Sequence, residues 1–251
     1  MRLVEAAQTL RDGLISWPQR VPLGQIAWIL NPLEYAWAPY EQYVRRYAPE
    51  GHRVEAVLLG MNPGPWGMAQ TGVPFGSPDF VRDFLKLDAS VTVPRLFHPD
   101  RPILGLQSPR TEVSGQRLWG GIQQCFGQPE AFFARFFVAN YCPLAFQTQT
   151  GANITPDKLS RVDGQSLEVL CDAHLETLLR VLEPHTVIGV GKWAQEQATR
   201  VVKQAQLPVR VATILHPSPA SPAANRGWLE AVRAQLEALG HPWPSPSSRI
   251  P

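Results

Sequence analysis

Asn62, Asn140, His216 and Phe75 are the side chains whose settings in this sequence best suit them for chemistry. Asn62 opens a loop running from Gly60 to Gly76, punctuated by Gly64, Gly67, Gly72 and Gly76 and by Pro63, Pro65 and Pro74. Residues of such opposite backbone freedom forbid regular structure and fix an irregular, pre-organised segment. Its polar side chains are few (Asn62, Gln70 and Thr71), so exposed backbone N–H groups and the Phe75 ring must supply much of any binding surface. The loop has neither the Lys nor the Walker-type ending of phosphate-cradling glycine loops. It suits a small, neutral, planar ligand lying against Phe75. Asn140 begins Asn-Tyr-Cys-Pro-Leu, and His216 begins His-Pro-Ser-Pro-Ala-Ser-Pro. The set contains no carboxylate, no Cys–His pair and no metal-ligand cluster. Its chemistry must rest on positioning and hydrogen bonding rather than on a strong base or nucleophile.

The elements that must position these residues follow from apolar patterning. Val54–Leu59, Arg135–Asn140, Thr186–Val190 and Val209–Leu215 read as strands, the first an almost continuous apolar run of the buried parallel kind. Helical patterns lie at 2–15 and at about 78–87, 114–126, 164–182, 192–206 and 225–239, with Leu3, Ala6, Ala7, Leu10 and Leu14 on one stripe of the first. Strands alternating with helices predict an α/β fold, a four-stranded parallel sheet covered by helices on both faces. Such a sheet brings the carboxyl ends of its strands to one edge, where open α/β sheets bind ligands. Asn62, Phe75, Asn140 and His216 should therefore converge. Lys192, following Gly191 at the start of a helix, is placed to hold a phosphate with the free N–H groups there.

Composition narrows the classes. At 251 residues and 44% hydrophobic, the chain can build one large core, and its net charge of +2 permits a nucleic-acid partner without demanding one. The 25 prolines accompany plentiful aliphatics, which predicts rigid loops rather than disorder. Charged Arg2, Glu5, Arg11 and Asp12 argue against a signal peptide, and no apolar stretch is long enough to span a bilayer. Cys125, Cys142 and Cys171 are widely spaced and odd in number, which points to ordinary reduced thiols in a cytoplasmic, nucleoid or nuclear setting. Tyr35, Trp37, Tyr40, Tyr43 and Tyr47 beside Arg45 and Arg46 read first as packing over the sheet, and second as an aromatic–basic edge for nucleic acid. Residues 1–240 read as a single domain, and 241–251 as a frayed Pro/Ser-rich tail.

Taken together, Gly60–Gly76, Asn140–Leu144 and His216–Pro222 resemble the motifs of the single-strand-selective monofunctional uracil-DNA glycosylase family, in their order and over a span from about Arg20 to Leu236. The resemblance implies a three-layer α/β/α fold of the uracil-DNA glycosylase type. It further implies a cofactor-free enzyme that flips uracil out of single- or double-stranded DNA and hydrolyses its N-glycosidic bond, acting as a monomer with no membrane partner. The family also accepts 5-hydroxymethyluracil and other C5-oxidised uracils.

Residue by residue, Asn62 matches the family's catalytic Asn and His216 its motif histidine. Asn140 matches the base-reading Asn, Phe75 the stacking aromatic, and Gly64 and Met61 the positions near the pyrimidine C5 edge. Ser218, Pro219, Ala220, Ser221, Asn225 and Arg226 fall in the segment that enters the DNA stack. Two departures stand out: Ala220 replaces a long basic wedge residue, and Trp66 replaces the usual Phe. Other readings are a superfamily glycosylase for deaminated purines such as xanthine, which an Asp at position 62 would favour, and a non-catalytic nucleic-acid-binding module.

Overall fold

The structure is a computed structural model and describes residues 2–17 and 24–246. In chain order it builds helix α1 (Leu3–Ile15), strand β1 (Trp28–Leu30), helices α2 (Pro32–Tyr35) and α3 (Trp37–Tyr47), and strand β2 (Ala56–Gly60). One helical turn, α4 (Met68–Thr71), lies inside the glycine loop, and α5 (Val113–Phe126), α6 (Pro129–Phe133) and β3 (Phe136–Asn140) follow. Then come β4 (Ala145–Gln147), β5 (Asn153–Ile154), α7 (Arg161–Leu182), β6 (Thr186–Val190) and α8 (Lys192–Gln204). The chain continues through β7 (Arg210–Ile214), α9 (Pro222–Asn225) and α10 (Trp228–Ala238).

The predicted four-stranded parallel sheet is present, in the order β3-β2-β6-β7. Every residue of β2 and β6 is buried, as central strands covered on both faces must be. Helices flank the sheet: α8 packs on β6 and β7, α1 on α7, and α10 on α5 and β7. The apolar stripe of α1 (Leu3, Ala6, Ala7, Leu10 and Leu14) is buried as its spacing requires. Each fully buried leucine of this kind contributes roughly 1.5–3 kcal/mol. The register matters most at the carboxyl edge. Gly60 pairs with Asn140, and Val190 with Ile214, so the four strand ends lie side by side.

Several boundaries differ from the sequence expectation. The helix expected from 164 begins at Arg161, because the Ser160 hydroxyl accepts the Asp163 N–H at 3.2 Å and caps it. The segment expected at 225–239 is two helices, broken at Gly227, whose φ of +141° no ordinary helix accommodates. The stretch at 78–87 holds only a π-helical turn, Phe80–Phe84. A second, antiparallel sheet, β1-β4-β5, had no counterpart in the sequence reading; its strands are too short for a period to show.

The aromatic stretch before residue 49 is packing material. Tyr35, Tyr40, Tyr43 and Tyr47 are buried, while Arg45 pairs with Glu41 at 2.6 Å and Arg46 with Glu130 at 3.0 Å. Cys125, Cys142 and Cys171 are free and buried. The expectation of a frayed tail fails at its first residues. His241 bonds the Thr186 hydroxyl at 2.9 Å, and the buried Trp243 ring meets Phe126, Phe132 and Phe136 at 5.7, 6.0 and 6.3 Å between centroids. Residues 247–251 lie outside the described residues.

Candidate active site

A cavity of about 660 Å³ opens at the carboxyl edge of the sheet. Asn62, Phe75, Asn140 and His216 all line it, together with Met61, Gly64, Lys192, Ser218 and Pro219. Side chains separated by as many as 154 positions (62 to 216) thus meet around one space, as the strand-end argument requires.

The floor depends on a glycine. Gly60 ends β2 beside Asn140, and a Cβ there would overlap the Asn140 carboxamide oxygen and come within 2.6 Å of the Phe75 ring. Only hydrogen at that position lets amide and ring approach each other. Backbone pairing continues past the strand ends, with Tyr141 N–H donating to the Gly60 carbonyl and Cys142 N–H to that of Met61, both at 2.9 Å. These bonds hold the two asparagine-bearing segments together.

The two carboxamides are each half engaged. Asn140 donates from its nitrogen to the Met68 sulfur at 3.2 Å, while its buried oxygen has no hydrogen-bond partner among the described residues. Burying an acceptor without a partner is costly, so such an atom marks a place completed by something else. Asn62 donates from its nitrogen to the Leu144 carbonyl at 3.2 Å and the Pro63 carbonyl at 3.5 Å. Those bonds fix the orientation of the amide and leave its oxygen as the free acceptor in the cavity wall.

His216 is held in one tautomer. Its Nδ1 accepts the Ser218 N–H at 3.0 Å, so in the neutral ring the proton resides on Nε2. Burial lowers the imidazole pKa from its ordinary value and favours that neutral form. Behind the ring, Gly191 sits at φ +94°, and a Cβ there would be 3.3 Å from the His216 Cβ. Arg117 on α5 steadies the same loop by donating to the carbonyls of Pro217 at 3.1 Å and Ser218 at 3.2 Å and to the Asn225 side-chain oxygen at 2.7 Å. Its position on a helix gave no sequence signal of this role.

Phe75 adopts φ +54°, a left-handed conformation that costs a non-glycine residue on the order of 1–3 kcal/mol. The surroundings enforce it. Ser77 N–H donates to the Phe75 carbonyl at 2.9 Å, the Thr71 hydroxyl to the Gly76 carbonyl at 2.8 Å, and the Trp119 indole to the Pro74 carbonyl at 3.2 Å. The ring thereby stands 6.3 Å from that of His216, centroid to centroid.

One expectation about the site must be corrected: its wall does contain a carboxylate. Glu112, the residue before α5, lines the cavity and accepts the Trp66 N–H at 3.3 Å. It lies so close over Gly64 that a Cβ there would overlap both carboxylate oxygens. Burial raises its pKa, and the N–H groups of Trp66 and Gly67 oppose that rise. The residue follows the irregular stretch 95–110 and directly precedes α5, where no periodicity points to any particular side chain.

The remaining predicted residues divide. Lys192 begins α8 with its side chain 85% exposed and only a 3.7 Å approach to Glu196. Ala220, Ser221, Asn225 and Arg226 do not line the cavity but follow it along the same loop and α9. Ala220 and Arg226 are exposed, Ser221 caps α9 through the Ala224 N–H, and Asn225 donates to the Pro219 carbonyl at 2.9 Å. Thr111, Asn153 and Thr155 also line the space and were not foreseen. Among the described residues no helix is long and apolar enough to cross a membrane.

The chain is similar to several known proteins. A family model described as the uracil DNA glycosylase superfamily matches residues 49–239. A Rattus norvegicus protein named single-strand selective monofunctional uracil-DNA glycosylase is 47% identical over 212 residues, 84% of this chain and 76% of that protein. A Bos taurus protein of the same name is 46% identical, covering 84% of this chain and 77% of its own. The crystal structure of Pedobacter heparinus SMUG2 shares the fold, with a TM-score of 0.64 at 18% identity over 92% of this chain and 98% of that one. By its sequence over most of its length and by its fold, the chain belongs to the uracil DNA glycosylase superfamily.

Proposed function

We propose that this protein is a uracil-DNA glycosylase that hydrolyses the N-glycosidic bond of an extruded deoxyuridine and leaves an abasic site. The observation that carries the reading is the buried, unpartnered oxygen of Asn140 set beside Phe75 on a glycine floor. Uracil presents an N3–H donor to such an acceptor and an O4 acceptor to the amide nitrogen. Cytosine presents the reverse pattern, and two mismatched buried groups reject it.

Cleavage releases a uracil anion from an oxocarbenium-like sugar. The anion spreads its charge over two carbonyls, so a fixed hydrogen bond to O2 can take the place of a general acid. His216, neutral and protonated on Nε2, supplies that bond. Asn62 offers its carboxamide oxygen to the water that captures the sugar cation. Phe75 stacks on the extruded ring. Met61 and Gly64 line the cavity and match the positions near the pyrimidine C5 edge, so 5-hydroxymethyluracil is read as a second substrate. Lys192 also lines the cavity, but its side chain is 85% exposed, so it is read as a phosphate contact rather than a Schiff-base nucleophile and the enzyme as monofunctional.

A target base stacked in a duplex is out of reach, so the nucleotide is flipped into the cavity, with Lys192 and the Ser218–Arg226 segment against the DNA. The same reading has the protein act as a monomer wherever DNA resides, in a nucleoid or a nucleus. The test is excision from oligonucleotides carrying uracil, 5-hydroxymethyluracil, xanthine, cytosine or thymine, single- and double-stranded, with alkali to reveal abasic sites. Uracil and 5-hydroxymethyluracil strands should break only after alkali, and cytosine and thymine strands should survive. Intact uracil strands in both forms would overturn the assignment.

A further inference from the structure

Two arginines stacked on a tryptophan of the cavity wall are held in a manner the chemistry of base excision does not require. The Arg101 guanidinium lies over the Trp66 ring at 4.9 Å from its centroid, and that of Arg110 at 4.5 Å. Trp66 itself lines the cavity. Among the described residues neither guanidinium forms an ion pair, although Asp100 adjoins one in sequence and Glu112 lies two positions beyond the other. The Glu112 carboxylate is turned instead to the N–H groups of Trp66 and Gly67.

The platform beneath them is rigid. Glu112 fixes the backbone of Trp66. Gln70, completely buried, donates to the carbonyls of Pro65 at 3.2 Å and Pro102 at 3.1 Å and accepts the Leu104 N–H at 2.9 Å. That one side chain ties the segment bearing Arg101 to the loop bearing Trp66. A guanidinium stacked on an aromatic face keeps its N–H donors around its edge, free for in-plane bonds, and has already lost much of its rotational freedom. Bidentate pairing with phosphate oxygens is the interaction such an edge matches best.

We propose that Arg101 and Arg110, oriented by Trp66, form a clamp for backbone phosphates of the DNA strand flanking the extruded nucleotide. The clamp belongs to the loop after β2 and the connection leading to α5, whereas Lys192 and Ser218 follow β6 and β7. The strand is therefore gripped at two separate parts of one rim. The inference rests on the DNA-directed reading above. It also gives the unusual Trp66 a purpose, since a larger ring can carry two guanidinium groups.

The test is salt-dependent binding of a fluorescent single-stranded oligonucleotide that contains no uracil, together with single-turnover excision from its uracil-containing counterpart. Each phosphate contact on single-stranded DNA contributes about 0.7 to the slope of log affinity against log salt. The double variant Arg101→Gln/Arg110→Gln should lower that slope by about 1.4. The parent should then lose about sevenfold more affinity than the variant between 50 and 200 mM salt. In excision, the half-saturating DNA concentration should rise by a larger factor than the maximal rate falls. Trp66→Leu removes no charge, yet it should weaken binding, because the guanidinium edges are no longer aligned.

An unchanged slope in the double variant would sink the clamp, as would a loss confined to the maximal rate. Parent-like affinity in Trp66→Leu would overturn the orienting role of the ring. If the parent excised no uracil, the binding measurement on plain DNA would still decide the clamp, so the two readings fail separately.

Discussion

The two edges of the parallel sheet use similar residue types to opposite ends. At the amino edge, Glu55 and Arg135 form a bidentate pair at 2.7 and 2.8 Å, and Arg135 also donates to the Pro242 carbonyl at 3.1 Å. There His241 and Arg210 both reach the Thr186 hydroxyl, at 2.9 and 3.3 Å. Apart from the buried Nδ1 of His241, which has no hydrogen-bond partner among the described residues, these polar groups are engaged with one another and fasten the segment after α10 to the start of the strands. At the carboxyl edge, the oxygens of Asn62 and Asn140, Nε2 of His216 and the Arg101 and Arg110 guanidinium groups have no hydrogen-bond partner among the described residues. Polar groups that satisfy each other hold a fold together, and polar groups held rigid but unsatisfied recognise a ligand.

That contrast is broken most severely by removing the groups left free. Asn62→Ala and His216→Ala should each lower single-turnover uracil excision by about 10²–10³-fold, the usual effect of deleting one transition-state hydrogen bond. Thermal unfolding should change little, by about 1 kcal/mol or less, since few internal bonds are lost. A variant that lost activity only in proportion to its stability would erase the distinction between the edges. The pH profile sharpens the same point. Because burial lowers the His216 pKa, the neutral ring with its Nε2 proton persists through the ordinary histidine range. Excision should stay level as pH falls through about 6.5 and decline only below it. An acid limb centred above that value would contradict a neutral donor.

Gly60 tests how closely the carboxyl edge is packed. A methyl group there would overlap the Asn140 oxygen and press on Phe75, so Gly60→Ala must displace one of the two groups that receive the base. The expected result is at least a tenfold loss of excision with a stability cost of about 1–3 kcal/mol. Near-parental excision would mean that the floor is more compliant than its contacts indicate.

What was legible in the sequence follows the same physical division. Five-residue runs such as Ala56–Gly60 and Thr186–Val190 are buried on both faces, so their sequences are continuously apolar and announce themselves. Parallel strands then place their tips together whatever the loops do, which is why Asn62, Asn140 and His216 could be grouped before any coordinates. Strands of two or three residues, such as Asn153–Ile154, are too short to carry a period. Glu112, Arg117 and Gln70 act mainly through long-range bonds to backbone atoms, and a bond to a carbonyl or an N–H leaves no pattern in the partner's side chains. The burial of Trp243 was hidden for a related reason. A Pro/Ser-rich surrounding suggests a loose end, and only the tertiary cluster of Phe126, Phe132 and Phe136 shows what the indole packs against.

The smallest expected effect lies at the amino edge. Glu55→Gln keeps the shape of the Arg135 pair but removes its charge, and a half-exposed pair of this kind contributes about 1 kcal/mol or less. The hydrogen bond from Arg135 is the main reason the Glu55 pKa lies below its ordinary value. A carboxylate whose folded pKa is depressed stabilises the protein above its unfolded pKa, and that contribution disappears as pH falls through the folded value. The parent should therefore lose more stability than Glu55→Gln between about pH 5 and pH 3, and the two should converge at the acid end. Uracil excision at neutral pH should be the same in both, because nothing at this edge reaches the cavity. A Glu55→Gln enzyme with impaired excision would show that the fastening at one end of the strands helps set the geometry at the other.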